Sequence, residues 1–274
     1  MIYIFSLLNY RHFFFLIMKA LEYELSALKY PTKIVDNLTQ MKLNNDDILI
    51  LFGFQAMVKD SSIMELVKTH KTIVYNSEQL HVGWDSILNN LKDVDCVWDY
   101  SKENIKLLQK RGFNKVYHVP LGYSDTYLND TDKYRDYTKI IFIGAENTRR
   151  TNILNTIEYP IVKFHNAFGK AYDEVLFNYG LFINIHFYSP AILEIFRIVP
   201  LLSNGCTVIS ERSMDSHLDS LYGEYITFFD NVSQVKDLIP KAIEQRLNLC
   251  EKFKKELTQK DILINSGCLE FLKV

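Results

Sequence analysis

The chain has 274 residues, more than most single cores hold and about right for two compact domains. Apolar residues make up 48% of it, which excludes a disordered or fibrous chain. The formal net charge of −2 offers no basic excess to a phosphate backbone, so nucleic acid is not an expected partner.

The amino terminus is apolar, but Arg11 and His12 interrupt it and no basic leader precedes a clean apolar run. It reads as structure rather than as a signal peptide. No run reaches the roughly 18 apolar residues of a membrane span. A cytoplasmic protein is expected, with room for a peripheral membrane contact. Cys96, Cys206, Cys250 and Cys268 lack C-x-x-C spacing and read as reduced core thiols.

In the first half, β-rich runs at 2–7, 33–36, 47–52, 72–76, 96–99 and 116–119 alternate with amphipathic stretches, the pattern of a doubly wound parallel sheet. Between the first two runs, Phe14, Ile17, Leu21, Leu25 and Leu28 recur at helical spacing. That stripe predicts packing on the sheet, with Lys19, Glu22 and Glu24 in solvent. The aromatic run Phe13, Phe14, Phe15 reads first as core packing and second as a contact for an acceptor or a membrane surface. After the fourth run, Glu78 falls at a strand end, where it is either a general base or acceptor ligand, or a solvated loop residue. Ser101 is placed to cap the helix after residues 96–99, and Gly112 to end it. Residues 123–138 are polar, show neither period and predict an interdomain linker. The expected domains are therefore 1–122 and 139–274.

The second half restarts with strands at 139–144, 181–187, 206–210 and 225–229. In IIFIGAENTRR the strand ends at Gly144 and a helix starts near Asn147. Arg149 and Arg150 there either face a diphosphate together with backbone amides or lie in solvent. In NIHFYSPAILEIFRIVPLLSNGCTVISE, Ser189 and Pro190 are expected to open a helix that Pro200 bends or ends. Glu194 and Arg197 share one face of it, either as a simple ion pair or as ligands in a cleft. His186, at a strand end, is a cleft residue or a satisfied core histidine. The chain lacks G-x-G-x-x-G and the P-loop lysine, against a dehydrogenase or an NTPase. Two D-x-D triplets, Asp93 with Asp95 and Asp130 with Asp132, follow no apolar strand, so no metal is expected.

The restart IIFIGAENTRR, the block 184–211 and the earlier VPLGYSD together resemble group 1 glycosyltransferases of the GT-B fold. The resemblance implies two Rossmann-like α/β domains facing each other across a cleft, with no cofactor. By position it implies that Gly144 and Arg149 or Arg150 serve the donor diphosphate and Glu194 the ribose or sugar. The function it implies is transfer of a sugar from a nucleotide-sugar donor to a glycan, lipid or protein acceptor. A binding module for glycan or nucleotide that kept the fold without the chemistry is the alternative. The chain departs from the family in lacking a pair of glutamates with seven residues between them, and Pro200 stands where the family's helix places its glutamate, five before the glycine.

Overall fold

The computed structural model describes residues 1–83, 85–127, 135–165 and 167–273. The chain folds as two compact units, one of Met1–Gly122 with Gln259–Val274 and a second of Tyr123–Thr258.

In the first unit the strands are β1 (Ile2–Phe5), β2 (Thr32–Val35), β3 (Ile48–Phe52), β4 (Lys71–Asn76), β5 (Cys96–Asp99) and β6 (Val116–His118). Among the described residues they form a parallel sheet in the order β2-β1-β3-β4-β5-β6. Its helices are α1 (Leu8–Ala27), α2 (Phe54–Met57), α3 (Ser61–Thr69), α4 (Asp85–Asn90) and α5 (Lys102–Lys110). The central strands are apolar on both faces, as a parallel sheet covered by helices requires. β3 is buried along its whole length. One face packs Leu49, Leu51, Val74 and Val97 with Ile63, Val67 and Leu108 from α3 and α5. Aromatic rings run across the strands elsewhere, with Phe14 against Phe52 at 5.8 Å, Phe52 stacked on Tyr75 at 4.9 Å, and Tyr75 edge-on to Trp98 at 6.2 Å. Ser101 caps α5 through the amides of Glu103 and Asn104, and Gly112 follows at φ +91°, as the sequence predicts.

Two expectations in this half need correction. Glu24 is buried rather than in solvent, because it continues the line of Ile17 and Leu21 at i+7 and i+3, on the face turned to the core. The aromatic run is split: Phe14 is core, whereas Phe13 lies in solvent.

The second unit has β7 (Ile140–Ile143), β8 (Ile161–Phe164), β9 (Leu181–Asn184), β10 (Thr207–Glu211) and β11 (Thr227–Phe229). They are parallel and ordered β11-β10-β9-β7-β8. Its helices are α6 (Thr148–Thr156), α7 (Lys170–Asn178), α8 (Ile195–Ser203), α9 (Ser216–Tyr222) and α10 (Val235–Glu256). Ile140, Phe142, Leu181, Ile183 and Ile209 from the sheet meet Leu154, Val235, Ile239 and Ala242 from the helices. β8 goes beyond the sequence expectation: it is a half-buried edge strand that carries Lys163 in four residues, too short and mixed to show a period.

Ser189 and Pro190 do not open α8. The carbonyl of Ala191 accepts from Met214 N at 2.7 Å, so the chain there bonds sideways and the helix begins only at Ile195. Pro200 does not end it, since α8 runs on to Ser203. Buried Ile198, Val199, Leu201 and Leu202 on either side of Pro200 hold that turn in place.

Residues 123–127 and 135–138 of the expected linker belong to the second unit, where Asp136 bridges Tyr179. The rest of it, with Asp130 and Asp132, lies outside the described residues. The last segment leaves the second unit: α11 (Gln259–Asn265) packs on α1, and Gln259 Oε1 accepts from Gly122 N at 2.8 Å. Among the described residues no helix is long and apolar enough to cross a membrane.

Candidate functional site

In open parallel sheets ligands bind beyond the carboxyl ends of the strands. In the second unit those ends are Ile143, Asn184 and Glu211 of β7, β9 and β10, and six of the residues singled out from sequence converge there.

Gly144 follows β7 at φ +150°, a conformation that side chains rarely adopt. A Cβ at this position would stand 3.0 Å from Arg197 Nη2 and 3.4 Å from Arg150 Nη1. Asn147 then caps α6 by accepting from Arg150 N at 2.8 Å. The amides of Ala145, Glu146 and Thr148 make no hydrogen bond among the described residues, leaving donors free at the start of the helix.

Arg150 points inward and is fully buried. Its Nε donates to Ile185 O and its Nη1 to Ala145 O, each at 2.8 Å. Nη2 donates to both oxygens of Glu194, at 2.8 and 3.1 Å. The guanidinium also lies against the rings of Phe142 and Phe187. Burial presses its pKa down to about 10 while Glu194 opposes the shift, so it stays cationic at neutral pH. The side chain is therefore a brace between the β7 loop, the end of β9 and residue 194. Buried and engaged in this way, it is not turned to solvent.

Glu194 precedes α8 as its amino-terminal flanking residue. Besides Arg150, it accepts from Arg197 Nη1 at 2.9 Å and from Phe187 N at 3.4 Å. Burial works against its charge, but Arg197 and Arg150 outweigh that and hold the carboxyl below its ordinary range. Arg197 Nη1 also donates to Asn184 Oδ1 at 3.0 Å, while Nη2 lies beside Gly144. With 23% of its side chain exposed, Arg197 presents charge to solvent where Arg150 does not.

Arg149 is 30% exposed and grips Glu211 bidentately, Nη1 to Oε2 at 3.0 Å and Nη2 to Oε1 at 2.6 Å. Glu211 Oε2 accepts in addition from His186 N at 2.7 Å. His186 Nε2 stands 3.2 Å from Arg212 O. A carbonyl only accepts, so Nε2 is the donor in that contact, which leaves the other ring nitrogen, Nδ1. That Nδ1 is buried with no hydrogen-bond partner among the described residues.

Asn184 and Glu211 are not singled out by the sequence patterns, although each is a polar residue closing an apolar strand, the position from which a side chain reaches past the sheet. Asn184 is buried and links Arg197 to Ser210 Oγ.

Glu78 belongs to the first unit, just beyond β4. Its backbone is fixed by Asn76, which accepts from its amide at 3.2 Å, and by Asn76 and Asn104, which both donate to its carbonyl. Both asparagines also donate to buried Asp99. The Glu78 carboxylate accepts from Gln55 Nε2 at 2.7 Å, and burial raises its pKa. Asp93 and Asp95 do not act together: Asp93 faces Lys68 at 4.0 Å, and Asp95 accepts from Thr72 N. Among the described residues no three His, Cys, Asp or Glu side chains gather as a metal site.

No protein-family model and no curated protein matches the chain. Solved structures do. The lipopolysaccharide outer core galactosyltransferase WaaB, in its apo form, is similar with a TM-score of 0.54 at 10% identity, over 97% of this chain and 98% of that one. A Glycosylation Associate Protein complex from Streptococcus agalactiae gives 0.51 at 12% identity. TarM from S. aureus, in complex with fondaparinux, alpha-GlcNAc-glycerol and UDP, gives 0.50 at 11%. Each of these two covers 91% of this chain, which spans only 56% of theirs. With its two parallel Rossmann-like sheets, the chain has the GT-B fold that it shares with these structures.

Proposed function

We propose that the chain is a glycosyltransferase that takes a nucleotide-sugar donor at the carboxyl ends of β7, β9 and β10. One observation carries the reading: the free amides of the β7–α6 loop, the bare Gly144 and the partly exposed side chain of Arg197 lie side by side at the start of a helix. A diphosphate fits such a place, because amides, helix terminus and cation all favour negative charge. Stabilising the departing nucleoside diphosphate is the main electrostatic task of sugar transfer, and fixed donors perform it without reorganisation. Arg149 adds charge at the rim. Glu194, Arg150 and His186 serve the donor by position: the carboxylate aims Arg197, and Arg150 holds that carboxylate. This scheme needs no metal and no cofactor.

In the first unit Glu78 is our candidate for the general base on an acceptor hydroxyl. Its raised pKa moves it towards the operating pH of such a base, and its Gln55 bond fixes its direction. Four free cysteines support a reducing, cytoplasmic setting. A non-catalytic binding module is favoured by a different observation, the engagement of both Glu194 oxygens within the protein.

UDP is the nucleotide to test first, since the TarM structure contains it. Calorimetric titration should show binding to the wild type and a tenfold to hundredfold loss in Arg197→Gln, about 1.5–3 kcal/mol for a charge-assisted contact. Absence of binding by any nucleoside diphosphate would sink the donor site. Binding of a nucleotide sugar without release of nucleotide, across a panel of acceptors, would favour the binding module.

A further inference from the structure

The β7–α6 loop carries a carboxylate of its own. Glu146 comes immediately before the capping Asn147, in the stretch where the amides of Ala145, Glu146 and Thr148 make no hydrogen bond among the described residues. The amides and dipole of a helix start favour an anionic side chain as they favour a phosphate. Left unrestrained, Glu146 is therefore a competitor for the diphosphate built into the chain. The structure has it turned aside. Its Oε2 accepts from Thr151 Oγ1 at 2.9 Å and from Lys163 Nζ at 3.3 Å, and its Oε1 accepts from His165 Nε2 at 2.8 Å. Thr151 belongs to α6 itself, whereas Lys163 lies on the edge strand β8 and His165 just beyond it. The two segments are also joined through the backbone, where Gly144 N donates to Phe164 O at 3.1 Å. Thr151 first, then Lys163 and His165, hold the Glu146 carboxyl below its ordinary range, so the group is charged at neutral pH and keeps its attraction for free amides.

We infer that Lys163 and His165 are positioning residues of the donor site, a clamp that holds the Glu146 carboxylate off the loop amides and leaves them open to the diphosphate of a nucleotide donor. This role rests on the proposed donor site and gives the β8 edge a part in it. Neither side chain touches the diphosphate. A direct contact fits less well, because both donors already engage the carboxylate, and turning them to the diphosphate would release Glu146 beside the amides that the ligand needs. The clamp also cancels a negative charge that would otherwise stand next to a negative ligand.

The test is calorimetric titration of UDP and of inorganic pyrophosphate into the full chain at about 0.15 M salt, where charge acting from a distance is largely screened. The wild type is compared with Lys163→Met plus His165→Ala, with Glu146→Gln, and with the three changes together. Melting curves check that each is folded. Removing the clamp should weaken both ligands about tenfold, the scale of one charge-assisted contact, because the freed carboxylate takes the amides. Glu146→Gln should bind at least as tightly as the wild type. In that background the loss on removing Lys163 and His165 should shrink to within about twofold, the non-additivity expected when residues act through one another. Unchanged affinity in the folded Lys163→Met plus His165→Ala protein, with the wild type binding, overturns the clamp and leaves the donor site standing. Equal losses in the two backgrounds overturn it as well, since the two residues would then act on the diphosphate themselves. If the wild type binds neither UDP nor pyrophosphate, the donor site fails and the clamp with it.

Discussion

Glu194 keeps its charge in a nearly closed site because a guanidinium stands on either side, and that balance fixes what its replacement does. Glu194→Gln leaves the shape but strands buried Arg150 without a counter-charge, at a cost of about 3–5 kcal/mol if the pair behaves as a buried one. Chemical denaturation of both proteins should show this loss, and an unchanged midpoint would mean that Arg150 is satisfied by its two carbonyls alone. The pH dependence has a definite sign. Folding lowers the Glu194 pKa, so the folded state binds this proton less readily than the unfolded one. Its contribution is complete above the ordinary carboxylate range and is lost as pH falls through the lowered value. The acid limb of the stability curve should flatten in Glu194→Gln. Glu78 has the opposite sign. Burial raises its pKa, so stability falls as pH rises from the ordinary carboxylate range through the raised value. Glu78→Gln should remove that fall and be the more stable protein at neutral pH, while any transfer activity that needs a base is lost. Equal stability profiles for Glu78→Gln and wild type would contradict the burial of this carboxylate.

At the scale of elements, the β7–α6 turn links backbone geometry to the site. Gly144→Ala forces a side chain onto a positive-φ position and places its Cβ 3.0 Å from Arg197 Nη2. A substitution whose native conformation is incompatible costs more than about 1 kcal/mol. It should also turn Arg197 away, so that nucleotide affinity falls with stability; a folded Gly144→Ala protein with full affinity would detach Arg197 from the donor. The central strands are legible in the sequence because apolar runs such as ILILF and IIFI need burial on both sides. Ser101 and Gly112 are legible because a cap and a terminator each act locally. β8 is not, since its place at the sheet edge leaves every residue half-buried and erases the alternation. The start of α8 is hidden for another reason. Ser189 and Pro190 carry a local helix-start signal, and a tertiary bond from Met214 N to Ala191 O overrides it. The site shows the same division: Glu194 and Arg197 are visible as a pair, but Arg150, 44 residues from Glu194 in another turn, supplies the third member only through the fold.

For the whole molecule, chain order and unit membership part at the end of the sequence, where no composition change marks the crossing. α11 and the turn after it return to the first unit, burying Leu263, Cys268 and Leu272 and tying Gly122 to Gln259. Stability of the first unit should therefore depend on residues at the far end of the chain from α1, while the arginine cluster depends on residues of the second unit alone. Leu263→Ala should destabilise by about 2–5 kcal/mol, the range for truncating a buried leucine. Multi-domain chains need not melt in one step, so calorimetry with and without nucleotide separates the two dependences. In Leu263→Ala the transition of the first unit should move down in temperature. Saturating UDP should still raise the transition of the second unit in wild type and variant alike, because a ligand stabilises the state that binds it. If UDP binding were lost together with the first transition, the donor site would need the first unit as well, and the assignment of that site to β7, β9 and β10 alone would fail.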